Sequence, residues 1–441
     1  MGFKAGKKIR DAIRRDHEFM LTTTKGEHPL VSAWGDGDYI TDIEGNKFLD
    51  FATMISVYNF GVNSSKEVRD AVKAQVGRLM HAAFTDFYAE EPVSFAENLM
   101  KMFPKGFGRV FFSNSGTEAN EAAIKFSKIF TKKQYILAFY NSFHGRTLGS
   151  LSLTSSKLTQ REHFGPFNST IHVPYAYCYR CPFGKEYPSC GMECVDYIRK
   201  YPLSKEVSPK EVAAIFMEPV QGEGGYVVPP KEFVKGIREI ASDNGFLMVA
   251  DEVQSGYFRA GKFLALDNFG VEADIYTMAK AAGAGLPIGI TVTRRSLGDT
   301  PMGAHSNTFG GNLASVAAAS ALLKYIQKNK ARLENDAKAK GAYIMKRLRK
   351  MMDDYEIIGD VRGLGMMIGV ELVKDRKTKE PAVKERDMIM TECFNNFLVL
   401  LPAGVSTIRI IPPITMPMKN IEKGIDVIED AIGKINRARK G

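Results

Sequence analysis

No apolar run in the 441 residues approaches membrane-spanning length, which excludes a transmembrane helix. The N-terminal stretch MGFKAGKKIRDAIRRDHEF has no continuous apolar core of the kind a secretory signal needs, so a cytoplasmic protein is expected. Internal repeats and low-complexity tracts are missing, as are proline-rich or glycine-serine linkers, which excludes a solenoid and a string of tethered modules. Charge of one sign never dominates: 60 Lys and Arg face 50 Asp and Glu, and the local basic runs GKKIRDAIRR and MKRLRK hold spaced apolar residues. Those runs read as solvated faces of amphipathic helices, so neither nucleic acid nor membrane is an expected partner. What remains, 44% hydrophobic and 25% charged residues, is a globular chain long enough for two domains.

Cysteine is scarce at five, yet four cluster as Cys178, Cys181, Cys190 and Cys194 in YCYRCPFGKEYPSCGMEC. Two close pairs can supply thiolates to zinc, although the second pair has three intervening residues. Paired disulfides and reduced thiols are the rival readings, and no metal site is assigned.

From about Val110 to Arg295, the apolar runs VFFSN, YILAFY, AAIFMEPV, LMVADEV, IYTMAK and IGITVTRR alternate with helical periodicity. Parallel strands covered on both faces read in this way, so the pattern predicts an α/β fold with one large, mostly parallel sheet. GDYITDIEGNKFLDF reads as a hairpin turning at Glu44, Gly45 and Asn46. The stretch LASVAAASALLKYIQKNKARLENDAKAKGAYIMKRLRKMM has helical composition interrupted at Gly341, followed by strand-like GMMIGVELV and TIRIIPP. A smaller α+β domain is therefore expected from both ends, over residues 1–65 and 331–441, around a large domain over 66–330.

Ligands in open α/β sheets lie beyond the carboxyl ends of strands, and three such ends carry chemistry. VFFSNSGTEANEAAIKF breaks into Ser115, Gly116 and Thr117 at a helix start, where free backbone amides make an anion cup suited to phosphate; a capped helix that binds nothing looks the same. LMVADEVQSG delivers Asp251 and Glu252 where water is scarce, and a carboxylate so placed needs a cationic partner, either a core arginine or a protonated ring nitrogen. DIYTMAKAAGAGLPIG sets Lys280 among alanines and glycines, where a poorly solvated ammonium loses its proton readily and favours imine formation with an aldehyde. Together the cup, the acid and the lysine describe a pyridoxal phosphate site.

At these residues the sequence resembles the class III, or ω-, aminotransferases of pyridoxal phosphate fold type I, closest to the 4-aminobutyrate aminotransferase-like members. DYITDIEGNKFLDF, SNSGTEANEAAIK, SFHGRT, MEPVQGEGG, ADEVQSG, AKAAGAGLPIG, NTFGGNLAS and VRGLGMMIGVEL follow one another in family order. The resemblance implies a seven-stranded-type sheet and a residue set. Lys280 would hold the cofactor and later carry the proton, and Asp251 would pair with the pyridinium nitrogen. Gln254 would reach the phenolic oxygen, Phe143 and Val253 would sandwich the ring, and His144 would belong to the cofactor set. Ser115, Gly116 and Thr117 would hold the phosphate, with Thr308 reaching it from a partner subunit of a homodimer or dimer of dimers.

For substrate, the resemblance implies that Arg146 holds the distal carboxylate of an ω-amino acid, or the α-carboxylate of an ornithine-like one. Arg409 would receive the α-carboxylate of a 2-oxo acid and otherwise pair with Glu223, while Ile55 tilts the reading toward 4-aminobutyrate. Ala279 departs from the serine that commonly precedes the lysine. The expected activity is transfer of an amino group from a 4-aminobutyrate-like ω-amino acid to 2-oxoglutarate. The alternatives are ornithine or acetylornithine aminotransferase, or an amino-acid racemase or epimerase on the same scaffold.

Overall fold

The computed structural model describes residues 2–23, 26–63, 65–167 and 169–439. Two compact units are present, Ser65–Glu334 and the pair Met1–Ser64 with Asn335–Gly441.

The first unit is built on seven strands: β1 (Phe107–Ser113), β2 (Tyr135–Phe139), β3 (Thr170–Val173), β4 (Val212–Met217), β5 (Leu247–Asp251), β6 (Ile275–Met278) and β7 (Gly289–Arg294). They lie in the order β1-β7-β6-β5-β4-β2-β3. The pairings β2–β3, β2–β4, β4–β5 and β5–β6 are parallel, whereas β7 runs antiparallel to both β6 and β1. Six strands therefore share one direction, and Ser113, Met217, Asp251 and Met278 end on the same edge of the sheet. Every residue of β4 is buried, as the continuous apolar run AAIFM requires of a central strand covered on both faces. The sequence pattern located every strand but β3, an edge strand in which only Ile171 and Val173 are buried.

In the second unit, the hairpin Tyr39–Asp42 and Lys47–Asp50 turns through Gly45 at φ +88°. Asp42 Oδ1 accepts from the backbone amides of Glu44 and Asn46, which fixes that turn. Leu398–Val399 pairs in parallel with Lys47–Asp50, joining the two ends of the chain in one sheet. A second sheet orders Ile358–Leu364, Met367–Asp375, Thr407–Ile410 and Leu401–Ala403.

The break expected at Gly341 is absent: one helix runs from Leu313 to Asp354. Gly341 serves a close approach instead, since a Cβ there would overlap the Gly365 carbonyl oxygen. Gly341→Ala gains about 1 kcal/mol of helix propensity, but overlap with a backbone atom that cannot rotate away costs about 1–3 kcal/mol. The expected outcome is a lower midpoint in chemical denaturation. A midpoint at or above that of the parent contradicts it. Among the described residues no helix is long and apolar enough to cross a membrane.

Candidate active site

The helix Gly116–Thr131, α1, begins where β1 ends, and Ser115 caps it by accepting from the Glu118 amide at 3.3 Å. Glu118 Oε2 accepts in turn from the Asn114 amide at 2.7 Å. The first N–H groups of a helix have no intrahelical partner, so Gly116 and Thr117 present donors at the positive end of the helix dipole. A Cβ at Gly116 would lie 2.8 Å from Val253 Cγ1, so glycine is what lets this turn sit against the segment after β5. Thr117 Oγ1 is fixed by Thr147 Oγ1 at 2.9 Å and Ser150 Oγ at 2.5 Å.

Asp251 closes β5 and is 4% exposed. Its Oδ2 accepts from His144 Nδ1 at 2.7 Å and Asn120 Nδ2 at 2.8 Å, and its Oδ1 from the Val253 amide at 3.0 Å. Burial alone would depress the His144 imidazole, but the Asp251 hydrogen bond and the charges of Asp251 and Glu218 outweigh it and hold it above its ordinary value. Its Nε2 is buried with no hydrogen-bond partner among the described residues.

Glu218, just past β4, accepts from the Phe143 and Gly222 amides at 2.9 and 2.8 Å. Burial pushes its carboxyl up to about 7, partly opposed by His144. A carboxyl raised on folding binds its proton more tightly in the native state. Its stability contribution is therefore complete below the unfolded value near 4.5 and lost as pH rises through about 7. The window is worth about 3 kcal/mol. Unfolding free energy of the cofactor-free chain should fall more steeply between pH 5 and 8 in the parent than in Glu218→Gln, whose side chain does not titrate. Equal slopes in denaturant titrations contradict this.

Glu252 is no part of this network. Its carboxylate accepts from the Ala265 and Leu266 amides at 2.9 and 3.0 Å and from Ser255 Oγ, tying the loop after β5 to a short helical turn. Gln254 Oε1 accepts from Tyr226 Oη at 2.6 Å, which leaves Nε2 as its donor. Lys280 follows β6 in a left-handed conformation, φ +40°, half-buried between buried Ala279 and Ala281. Phe143 and Val253 are half-buried, and the Arg146 guanidinium carbon stands 5.5 Å from the Phe143 ring centroid on an exposed side chain. Glu223 is half-buried and Thr308 exposed in a turn that Asn307 tethers by donating to the Phe112 carbonyl.

Ile55 and Arg409 belong to the other unit. Ile55 lies in Thr53–Ser56, four consecutive residues with φ between +44° and +63°, a run that costs about 1–2 kcal/mol per residue. Arg409 is 5% exposed on Thr407–Ile410, and its Nε donates to the Pro402 carbonyl at 2.9 Å.

Sequence reasoning missed Asn120, Thr277, Glu218 and Tyr226. The first was legible as the one amide on a buried helix face of alanines, four residues after Gly116. The four clustered cysteines are free thiols lining a cavity of ≈ 20 Å³, with Cys178 pushed up to about 11 and Cys194 to about 12, chiefly by burial. Among the described residues no group of three or more His, Cys, Asp or Glu side chains stands where it could hold a metal ion.

A helix-start amide cup, a buried carboxylate with a spare acceptor position and a lysine at the next strand end are the donor set that pyridoxal phosphate requires, and the residues present fit it. The model of the class-III aminotransferases matches residues 22–432. A leucine/methionine racemase of Thermococcus litoralis is 40% identical over 415 residues, 94% of this chain and 93% of that protein. A probable 4-aminobutyrate aminotransferase of Bacillus subtilis is 33% identical, over 94% of this chain and 95% of its own. The structure of a pyridoxal phosphate-bound amine transaminase from an uncultivated Pseudomonas species superposes with TM-score 0.87 at 28% identity, covering 95% of this chain and 98% of that one. The chain thus belongs to the class-III aminotransferases and is a pyridoxal phosphate-dependent enzyme of fold type I.

Proposed function

We propose that the protein transfers the amino group of a 4-aminobutyrate-like ω-amino acid to 2-oxoglutarate. Arg409 carries this reading: a buried guanidinium whose Nε is anchored by the Pro402 carbonyl has a fixed plane, suited to one carboxylate in bidentate geometry. Arg146 would take the distal carboxylate of the amine donor, and Ile55 would bear on the choice of donor.

When bound, pyridoxal phosphate supplies an electron sink for the substrate carbon that loses a proton. Ser115, Gly116 and Thr117 would bind its phosphate, Phe143 and Val253 would flank its ring, and Gln254 Nε2 would donate to its phenolic oxygen. Asp251, oriented by His144, would hold the ring nitrogen's proton. Lys280 Nζ would take the proton from the amine-bearing carbon of the substrate and hand it on. The proposal includes a cytoplasmic homodimer in which Thr308 reaches the phosphate of the neighbouring subunit.

Arg409→Ala is expected to slow the 2-oxoglutarate half reaction about 10- to 100-fold more than the amine half, the worth of a charged hydrogen-bonded pair. Equal losses in stopped-flow traces of the two halves would refute the assignment. The 40% identity to a racemase favours a second reading, in which Lys280 and Asp251 are needed as before but the proton returns to the substrate carbon, with access to its opposite face as the added requirement. Incubation with 4-aminobutyrate, ornithine, acetylornithine and single-enantiomer amino acids, with and without 2-oxoglutarate, separates the two. Enantiomer scrambling without the oxo acid selects the racemase.

A further inference from the structure

We infer that Thr277 and Asn120 are positioning residues that lock the orientation of the Asp251 carboxylate and tie it to the strand that carries Lys280. The inference rests on Asp251 facing the cofactor's ring nitrogen. Thr277 lies opposite Asp251 in the β5–β6 register, three residues before Lys280. Its Oγ1 donates to Asn120 Oδ1 at 2.8 Å, and Asn120 Nδ2 donates both to Asp251 Oδ2 at 2.8 Å and to the His144 carbonyl at 2.7 Å. Thr277 is 0% exposed and Asn120 1%, so water does not compete for these bonds.

A carboxamide has two nearly isosteric orientations, and the network decides between them. Rotated by a half-turn, Asn120 would aim its oxygen at both the Asp251 carboxylate and the His144 carbonyl. Thr277 disfavours that state, because its hydroxyl would then lose its acceptor. With Asn120 fixed, Oδ2 is filled by two donors, and Oδ1, which accepts only the Val253 amide among the described hydrogen bonds, keeps its second lone pair for the ring nitrogen. Without the lock the carboxylate can turn, and the charge meant for the ring nitrogen is misplaced.

The test compares the parent with Thr277→Val, nearly isosteric but with no hydroxyl, and Thr277→Ser, which keeps it. In the holoenzyme, Thr277→Val is expected to lower kcat about 10- to 100-fold with KM within about twofold, and Thr277→Ser to stay within about threefold of the parent. In the cofactor-free protein, labelled-histidine NMR should show the His144 Nδ1 proton sharp in parent and serine variant and broadened by exchange in the valine variant. A Thr277→Val enzyme with parental kcat, an unchanged His144 proton, or equal damage in the serine variant overturns the inference. Failure of the valine variant to fold shifts the test to Asn120→Ala, for which parental kcat is likewise the overturning result. If Lys280→Ala retains the cofactor's imine absorbance, the cofactor reading itself fails; parental behaviour of Thr277→Val beside a silent Lys280→Ala sinks this inference alone.

Discussion

Lys280→Ala is expected to lose at least about ten-thousand-fold in turnover together with the absorbance of a lysine-bound cofactor, because the proposed mechanism gives this one amine both the nucleophile's and the proton carrier's part. Alanine offers no nitrogen for either task. The fold should not suffer: Lys280 sits in a short turn, and the flanking Ala279 and Ala281 already show what the site tolerates sterically. Near-parental thermal unfolding of the cofactor-free variant is therefore part of the expected result. Turnover comparable to that of the parent would reject the assignment of this lysine.

Asp251→Asn comes next, with an expected loss of about a hundred- to a thousand-fold in kcat. The substitution keeps shape but removes the only charge in the Asp251–His144–Asn120 cluster that can match a protonated ring nitrogen. It also replaces one acceptor by an amide donor among groups that already donate: His144 Nδ1, Asn120 Nδ2 and the Val253 N–H. One of those donors loses its partner, which costs about 1–3 kcal/mol, so a lower melting temperature should accompany the lost activity. Near-normal kcat in Asp251→Asn would mean that the ring nitrogen needs no charge from this position.

The sheet was legible because its central strands are continuous apolar runs bounded by polar residues, and those same boundaries place Ser115, Asp251 and Lys280. The direction of β7 was not, since IGITVTRR reads the same whether a strand runs up or down. Gly341 was misread for a related reason: a glycine that ends a helix and one that admits a neighbouring backbone look alike until Gly365 is seen beside it. Glu252 shows the limit for acids. Adjacent to Asp251 and equally buried, it is satisfied by backbone amides of a later turn, a partner set that no local pattern encodes. Asn120 and Thr277 are far apart in the chain and meet only once α1 packs on the sheet.

The central claim is a covalent one. Borohydride reduction of the purified holoenzyme followed by peptide mapping should find a pyridoxyl group on Nζ of Lys280, at a stoichiometry approaching one per chain. A reduced protein with no such adduct, or with the adduct on another lysine, contradicts the account.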